Sequence, residues 1–161
     1  MDKMSFDKVY ADHKETVWKL VSRYASSKHD REDLFQEVFL QIHRSLSSFR
    51  GDSSIETWIY RVTVNTAINQ LKKQQRHKKI KETLSWLRVV EVEKEENEEE
   101  GEIMKPLAKL NPQQRAVLIM AEVEERKLEE ISQVLNIPVG TVKSNLHRAK
   151  EIVRKELRDN G

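Results

Sequence analysis

Apolar residues recur along this chain at spacings of three and four, and the polar residues between them fall on the opposite side of a 3.6-residue helix. Phe6, Val9, Tyr10, His13, Val17, Leu20, Val21 and Tyr24 mark a first amphipathic helix that ends near Ser26, Ser27 and Lys28. Leu34, Phe35, Val38, Phe39, Ile42 and Leu46 mark a second. Asp30 is its expected N-cap, with Glu32 and Asp33 in the first turn, where the helix dipole favours acids. The other side of that helix carries Asp33, Gln36, Glu37, Gln41 and Arg44. Residues 49–54, FRGDSS, read as a short loop turning at glycine, and Ser53 with Glu56 three residues on reads as a capping box that starts a third helix.

The third helix has no acidic residue from position 57 to position 81 but seven basic ones, with Trp58 and Tyr60 near its start and Asn65 and Asn69 one turn apart. Cations interleaved with aromatic and amide side chains suit a nucleic-acid backbone and exposed bases. Trp58, Ile59, Val62 and Ile68 also fit a core stripe, and by itself Trp58 is expected to be buried there; the basic run over 72–81 has no place in a core. Residues 84–92 fit either a short packed segment or one that orders on binding a partner. Residues 91–102 include eight glutamates, too many charges to bury, and read as a linker.

Asn111 followed by Pro112 is an N-cap with proline at the first helical position, and Ala116, Val117, Ile119, Met120 and Val123 continue an apolar pattern. Residues 128–154 then read as two short helices joined by a tight turn. Ile131, Val134 and Leu135 stripe the first, and Val142, Leu146 and Ala149 stripe the second. Ser132 is small enough for close approach, Asn136 tolerates a left-handed helix exit, Ile137 plugs the corner, and Pro138 and Gly140 open the next helix. That helix-turn-helix leaves Thr141, Lys143, Ser144, Asn145, His147 and Arg148 on or near the outward face, as donors suited to phosphates and base edges.

Composition narrows the picture. With 161 residues, 4 Gly, 3 Pro and 35% charged side chains, the chain is expected to be all-α, as two small helical domains joined by a flexible acidic linker. The expected bounds are 1–82, 83–105 and 106–161, the last being the helix-turn-helix domain. The net charge of +2 hides segregation. Residues 1–90 carry 17 basic and 11 acidic side chains, residues 91–105 carry 2 and 8, and residues 106–161 carry 10 and 8. The absence of cysteine excludes disulfides and thiolate metal sites. No apolar run reaches 18 residues and no signal-peptide core opens the chain, so a soluble, cytoplasmic protein is expected. His13, His29, His43, His77 and His147 are scattered, with no pair at the spacing a zinc helix needs, so no enzyme activity, metal, cofactor or small-molecule substrate is expected.

Three motifs in order resemble the extracytoplasmic-function group of bacterial RNA polymerase sigma factors: DREDLFQEVFLQI, FRGDSSIETWIYRVTVNTAINQLKK, and LNPQQRAVLIM with EEISQVLNIPVGTVKSNLHRAK. The resemblance covers nearly the whole chain. It implies a promoter-specificity subunit whose partners are core RNA polymerase, promoter DNA as duplex and melted non-template strand, and an anti-sigma factor. It places Asp33, Gln36, Glu37 and Phe39 at or beside the polymerase contact. It assigns minus-ten DNA to Arg50, Gly51, Asp52, Ser53, Ser54, Trp58, Arg61, Asn65, Asn69, Lys72 and Lys73, with Asn65 and Asn69 holding a flipped base. It assigns the minus-thirty-five duplex to Thr141, Lys143, Ser144, Asn145, His147 and Arg148. The chain departs from the family pattern at Glu125, Arg126 and Lys127, where the family often has a glycine, an apolar residue and a capping serine, and at Asn145, where arginine is common. The alternative reading is an autonomous helix-turn-helix regulator with an N-terminal dimerisation or sensor domain.

Overall fold

A computed structural model describes residues 4–87 and 104–159, and every regular element among them is a helix. The N-terminal unit is built from α1 (Phe6–Val21), α2 (Lys28–Ser45), a 3₁₀ turn (Leu46–Ser48) and the first half of α3 (Ile55–Trp86), which pack pairwise on one another. Val9, Val17, Leu20 and Val21 of α1 meet Leu34, Val38, Phe39 and Ile42 of α2 and Ile59, Val64, Ala67 and Ile68 of α3. Phe6, Tyr10 and Phe35 surround Phe39 in edge-on and tilted ring contacts, and Trp18 meets Phe35 edge-on.

Two helix starts differ from the expected ones by a short step. Asp30 does not cap α2; the Ser27 hydroxyl accepts the Asp30 backbone N–H at 3.1 Å, so Asp30 lies inside the first turn, where its charge still meets the dipole. Ser54, not Ser53, caps α3 by accepting the Thr57 N–H at 3.2 Å, which leaves Glu56 in the first turn without a capping-box partner in Ser53. Helix α2 thus starts earlier than its spacing suggests, and α3 one residue later. The third helix also runs past the expected domain boundary at 82, through Leu84 to Trp86, whose indole is exposed. Residues 88–92 of that segment and the glutamate-rich stretch lie outside the described residues.

The C-terminal unit comprises α4 (Met104–Leu107), α5 (Pro112–Leu118), a π-helical turn (Ile119–Val123), α6 (Leu128–Leu135) and α7 (Val139–Asp159). Asn111 caps α5 as expected, and with Gln114 forms a reciprocal box at 2.8 and 3.1 Å. Asn136 takes the left-handed conformation at φ 54°, and the Ser132 hydroxyl donates to the Ile137 carbonyl at 2.5 Å, closing the corner of the helix-turn-helix. Ile131, Val134, Val142 and Ala149 are buried between α6 and α7, as their spacing predicts.

Lys127 caps α6 without a side-chain hydrogen bond, as the missing serine foretold. Glu125, in place of a glycine, is held at φ 53°, directly after the π turn, in which Glu124 N–H reaches back to Ile119 O at 3.0 Å. Helices α5 and α6 also lie against α3, so one continuous buried cluster runs through both units. No helix among the described residues is long and apolar enough to cross a membrane.

The left-handed backbone penalises any side chain other than that of glycine or asparagine by about 1 kcal/mol or more, partly offset by the entropy glycine loses on folding. Glu125→Gly should therefore raise stability by about 0.5 kcal/mol, read as a higher urea midpoint at an unchanged slope. Asn111→Ala, which leaves an N3 amide bare, should lower it by about 1 kcal/mol.

Candidate nucleic-acid interface

The N-terminal site is a groove of about 530 Å³ between α2 and α3. Helix α2 contributes Glu37, Gln41 and Ser45; helix α3 contributes Trp58, Arg61, Val62, Asn65, Thr66, Asn69, Gln70 and Lys73. The i, i+4 spacing of Trp58, Val62, Thr66 and Gln70 and of Arg61, Asn65, Asn69 and Lys73 puts both rows on one side of α3. The groove thus collects amides, cations and one aromatic ring, and its α2 wall adds a carboxylate whose Oε1 accepts from Gln41 at 3.0 Å.

Phe49 lies 5.2 Å, centre to centre, from the Trp58 ring, which joins the base of the 49–54 loop to the groove. Arg50, Gly51, Asp52 and Ser54 of that loop are exposed and Ser53 half-buried. Gly51 makes the turn at φ +77°, a backbone that a side chain would strain. Trp58 is half-buried, so it belongs to the core margin and the groove wall together. Beyond the groove the helix carries Lys72, Lys73, Arg76, Lys78 and Lys79 in the open.

Asn69 is exposed on the groove's rim, but Asn65 is engaged: its amide donates to Arg61 O at 2.9 Å and to Val134 O of α6 at 3.3 Å. On α2, Asp33 and Gln36 are exposed and Glu37 is half-buried. Phe39 faces the other way, at 5% exposure among the aromatic rings, so it supports that surface from beneath.

In the C-terminal unit Thr141, Lys143, Ser144, His147 and Arg148 are exposed on α7, as expected. His147 pairs with Glu151 at 3.1 Å along the helix. Asn145 corrects the expectation: it is 7% exposed, and its amide donates to Gln113 Oε1 of α5 at 2.9 Å. The reason is helical phase, since 142, 145 and 149 recur at three and four and share the inward stripe. An asparagine there ties α7 to α5.

Sequence reasoning missed a polar cluster between the two units. Glu124, whose side chain is 6% exposed, accepts the Tyr60 hydroxyl at 2.8 Å and Arg23 Nη1 at 3.1 Å. The Arg126 guanidinium lies over the Tyr60 ring, 3.7 Å from its centre. Burial, then the Glu124 charge and hydrogen bond, pushes the Tyr60 hydroxyl well above the usual tyrosine range, and burial does the same for Tyr24 beside it. Both therefore stay protonated at neutral pH. No local pattern announces contacts between residues 64 and 101 positions apart.

The profile of Sigma-70 region 2 matches residues 9–77 and that of Sigma-70, region 4 matches residues 100–153. Over 97% of this chain and 89% of its own length, the ECF RNA polymerase sigma-E factor of Haemophilus influenzae is 31% identical. The chain belongs to the ECF group of sigma-70 factors. The ECF RNA polymerase sigma-E factor of Escherichia coli is 32% identical over 94% of the chain and 86% of its own length, and the ECF sigma factor SigW of Bacillus subtilis is 28% identical over 98% and 91%.

The fold agrees with that membership. The sigma factor RpoE, solved in complex with the anti-sigma factor NepR from Bartonella quintana, superposes with a TM-score of 0.64 at 19% identity, over 95% of this chain and 96% of that one. CnrH, solved in complex with the cytosolic domain of CnrY, gives 0.62 at 19% identity over 97% and 89%. In this sigma factor the region 2 match spans α1, α2 and most of α3, and the region 4 match ends within α7.

Because Asn145 is a buried tie, Asn145→Ala should cost stability, by about 1 to 3 kcal/mol for the Gln113 amide left unpaired. Lys143→Ala should leave the folding free energy within about 0.5 kcal/mol of wild type. Thermal denaturation of the two variants separates the inward residue from its outward neighbour.

Proposed function

We propose that this sigma factor binds core RNA polymerase and directs it to promoters, with residues 1–82 taking the polymerase and minus-ten DNA, residues 106–161 the minus-thirty-five duplex, and 83–105 joining them. The groove between α2 and α3 carries the reading, because it sets two amides, a ring and cations side by side on one family-matched unit. A base leaving the stack costs a few kcal/mol, and amides on its edge with a stacking wall return about 1 to 3 kcal/mol per base. Asn65 and Asn69 are the amides, Trp58 the wall, and Arg61, Lys72 and Lys73, with the loop residues Arg50, Gly51, Asp52, Ser53 and Ser54, hold the strand around the base.

Asp33, Gln36 and Glu37 present the polymerase contact, and Phe39 keeps that helix surface in place. Since Glu37 lines the groove that holds Asn65 and Asn69, the polymerase contact borders base capture. Thr141, Lys143, Ser144, His147 and Arg148 meet the upstream duplex. The chain works by binding rather than catalysis, needs no cofactor, and acts in the cytoplasm beside its polymerase. An anti-sigma factor is a further partner, as in the solved complex of RpoE with NepR.

The free chain should bind promoter duplex poorly, and its complex with core polymerase should bind it specifically, because each unit alone offers a small footprint. Asn69→Ala should lower open-complex formation while recruitment persists, and a premelted template should restore activity. Lys143→Ala or Arg148→Ala should weaken recruitment on both templates, with the salt slope shallower by about one for each phosphate no longer neutralised. Glu37→Lys should weaken association with core polymerase by roughly tenfold. Recruitment and permanganate-detected strand opening on duplex and bubble templates measure these effects. Equal defects for Asn69→Ala and Lys143→Ala on both templates would overturn the division of labour, and tight sequence-specific binding by the free chain would point to an autonomous regulator.

A further inference from the structure

Helix α7 turns apolar side chains inward and polar ones outward, and Asn145 breaks that division. It stands in the inward stripe between Val142 and Ala149, both fully buried, and is itself 7% exposed. An apolar side chain would fill that place by packing alone and would tolerate small turns and slides of the helix. An amide does not, because its hydrogen bond needs a particular distance and angle, and its loss strands a buried polar group. For this reason a single buried asparagine in an apolar helix seam fixes register, at some cost in stability. Here the Asn145 amide nitrogen donates to Gln113 Oε1 of α5 at 2.9 Å.

The acceptor is held firmly. Gln113 follows the buried Pro112 and stands between Asn111 and Gln114, the two members of the reciprocal box, so its backbone is fixed at the start of α5. A second tie lies five residues further along α7, where Lys150 Nζ meets Glu122 Oε1 of the π turn at 2.6 Å. Five residues advance a helix by about 7.5 Å and leave the two side chains about 140° apart around it. Anchors at different heights and on different sides of α7 resist both rotation about its axis and sliding along it. Neither uses the exposed Lys143, Ser144, His147 or Arg148.

Rotation affects base contacts more than phosphate contacts. The rim of a helix lies about 5 to 6 Å from its axis, so a turn of about 20° moves a rim atom by about 2 Å. A hydrogen bond to a base edge is lost over such a shift, whereas a lysine on its flexible stem follows a phosphate through it. We propose that the pair of Asn145 and Gln113, braced by the pair of Lys150 and Glu122, sets the rotation of α7 and with it the sharpness with which the upstream element is read. Asn145 and Gln113 are positioning residues for base recognition and touch no DNA themselves. The inference rests on the assignment of the outward α7 residues to the minus-thirty-five duplex.

The test uses the full chain assembled with core polymerase, on a duplex promoter that this factor uses and on the same promoter with its upstream element scrambled. The variants are Asn145→Ala, Gln113→Ala, the two together, and the exchanged pair Asn145→Gln with Gln113→Asn, which keeps both amides and their combined length. Lys143→Ala is the control for direct DNA contact. Binding is measured over a salt series, at a temperature well below the thermal midpoint of every variant, and far-ultraviolet dichroism confirms that each remains helical.

Asn145→Ala should lower affinity for the matched promoter roughly tenfold, about the contribution of one good base contact, while affinity for the scrambled promoter and the salt slope stay as in the wild type. Gln113→Ala should do the same, the double variant should be no worse than either, and the exchanged pair should recover most of the loss. Equal losses on both promoters, or a double variant that loses the product of the single effects, would mean a structural role alone and overturn the proposal. A shallower salt slope in Asn145→Ala would mean that Asn145 meets a phosphate directly, which overturns it as well. A normal Lys143→Ala defect beside an inert Asn145→Ala overturns the positioning role and leaves the minus-thirty-five assignment standing. If Lys143→Ala changes neither affinity nor slope on the matched promoter, that assignment fails, and the positioning role falls with it.

Discussion

An amphipathic helix with a single apolar stripe can serve one core, and α3 has to serve two. Ile59, Tyr60, Thr63, Val64, Thr66, Ala67 and Ile68 are all buried, and at about 100° per residue they cover roughly 200° of the helix, wider than a single stripe. Such a helix is stable only when covered from several sides. Helices α1 and α2 cover it from one direction and α5 and α6 from another, so the N-terminal core and the packing of the helix-turn-helix share this segment. The second half of α3 has no such cover. From Lys72 onward it is exposed and basic, and its helical conformation there rests on its own backbone bonds and its continuity with the buried half.

This division along one helix explains why the groove sits where it does. Thr66 and Val62 turn toward the core margin while Asn65 and Asn69, one turn apart, share the side of the helix opposite the buried arc. The rigid half positions the groups that would discriminate a base, and the bare half supplies charge, which needs little positioning. Reading and holding nucleic acid thus draw on different parts of one element.

Much of this was legible in the sequence, where the signal was local. Asn136, Asn111 with Pro112, and the stripe of Ile131, Val134, Val142 and Ala149 each obey rules that act within a turn or two, and each stands as expected. Ser27 and Ser54 take the caps expected of Asp30 and Ser53 because several oxygen-bearing side chains stand near each helix start, and spacing does not rank them. Asn145 was misplaced although its phase with Val142 and Ala149 was available, since a polar residue among polar neighbours invites an outward reading. The Glu124 cluster was not legible at all. Glu124, Arg126 and Tyr60 are ordinary in their own segments, and their meaning comes from a packing of distant helices that no local pattern encodes.

The π turn at Ile119–Val123 carries a consequence of backbone length. It accommodates one more residue than an α-helical turn would, and each residue turns a helix by about 100°. That single extra position decides that Glu124 faces α3 and that Glu125 must take the left-handed bend into α6. Shortening the turn by one residue would swing the carboxylate off Tyr60 while leaving α6, Asn136 and α7 their own capping and packing. The length of this one turn therefore sets how Glu124 meets the N-terminal unit, separately from the DNA-facing residues of α7.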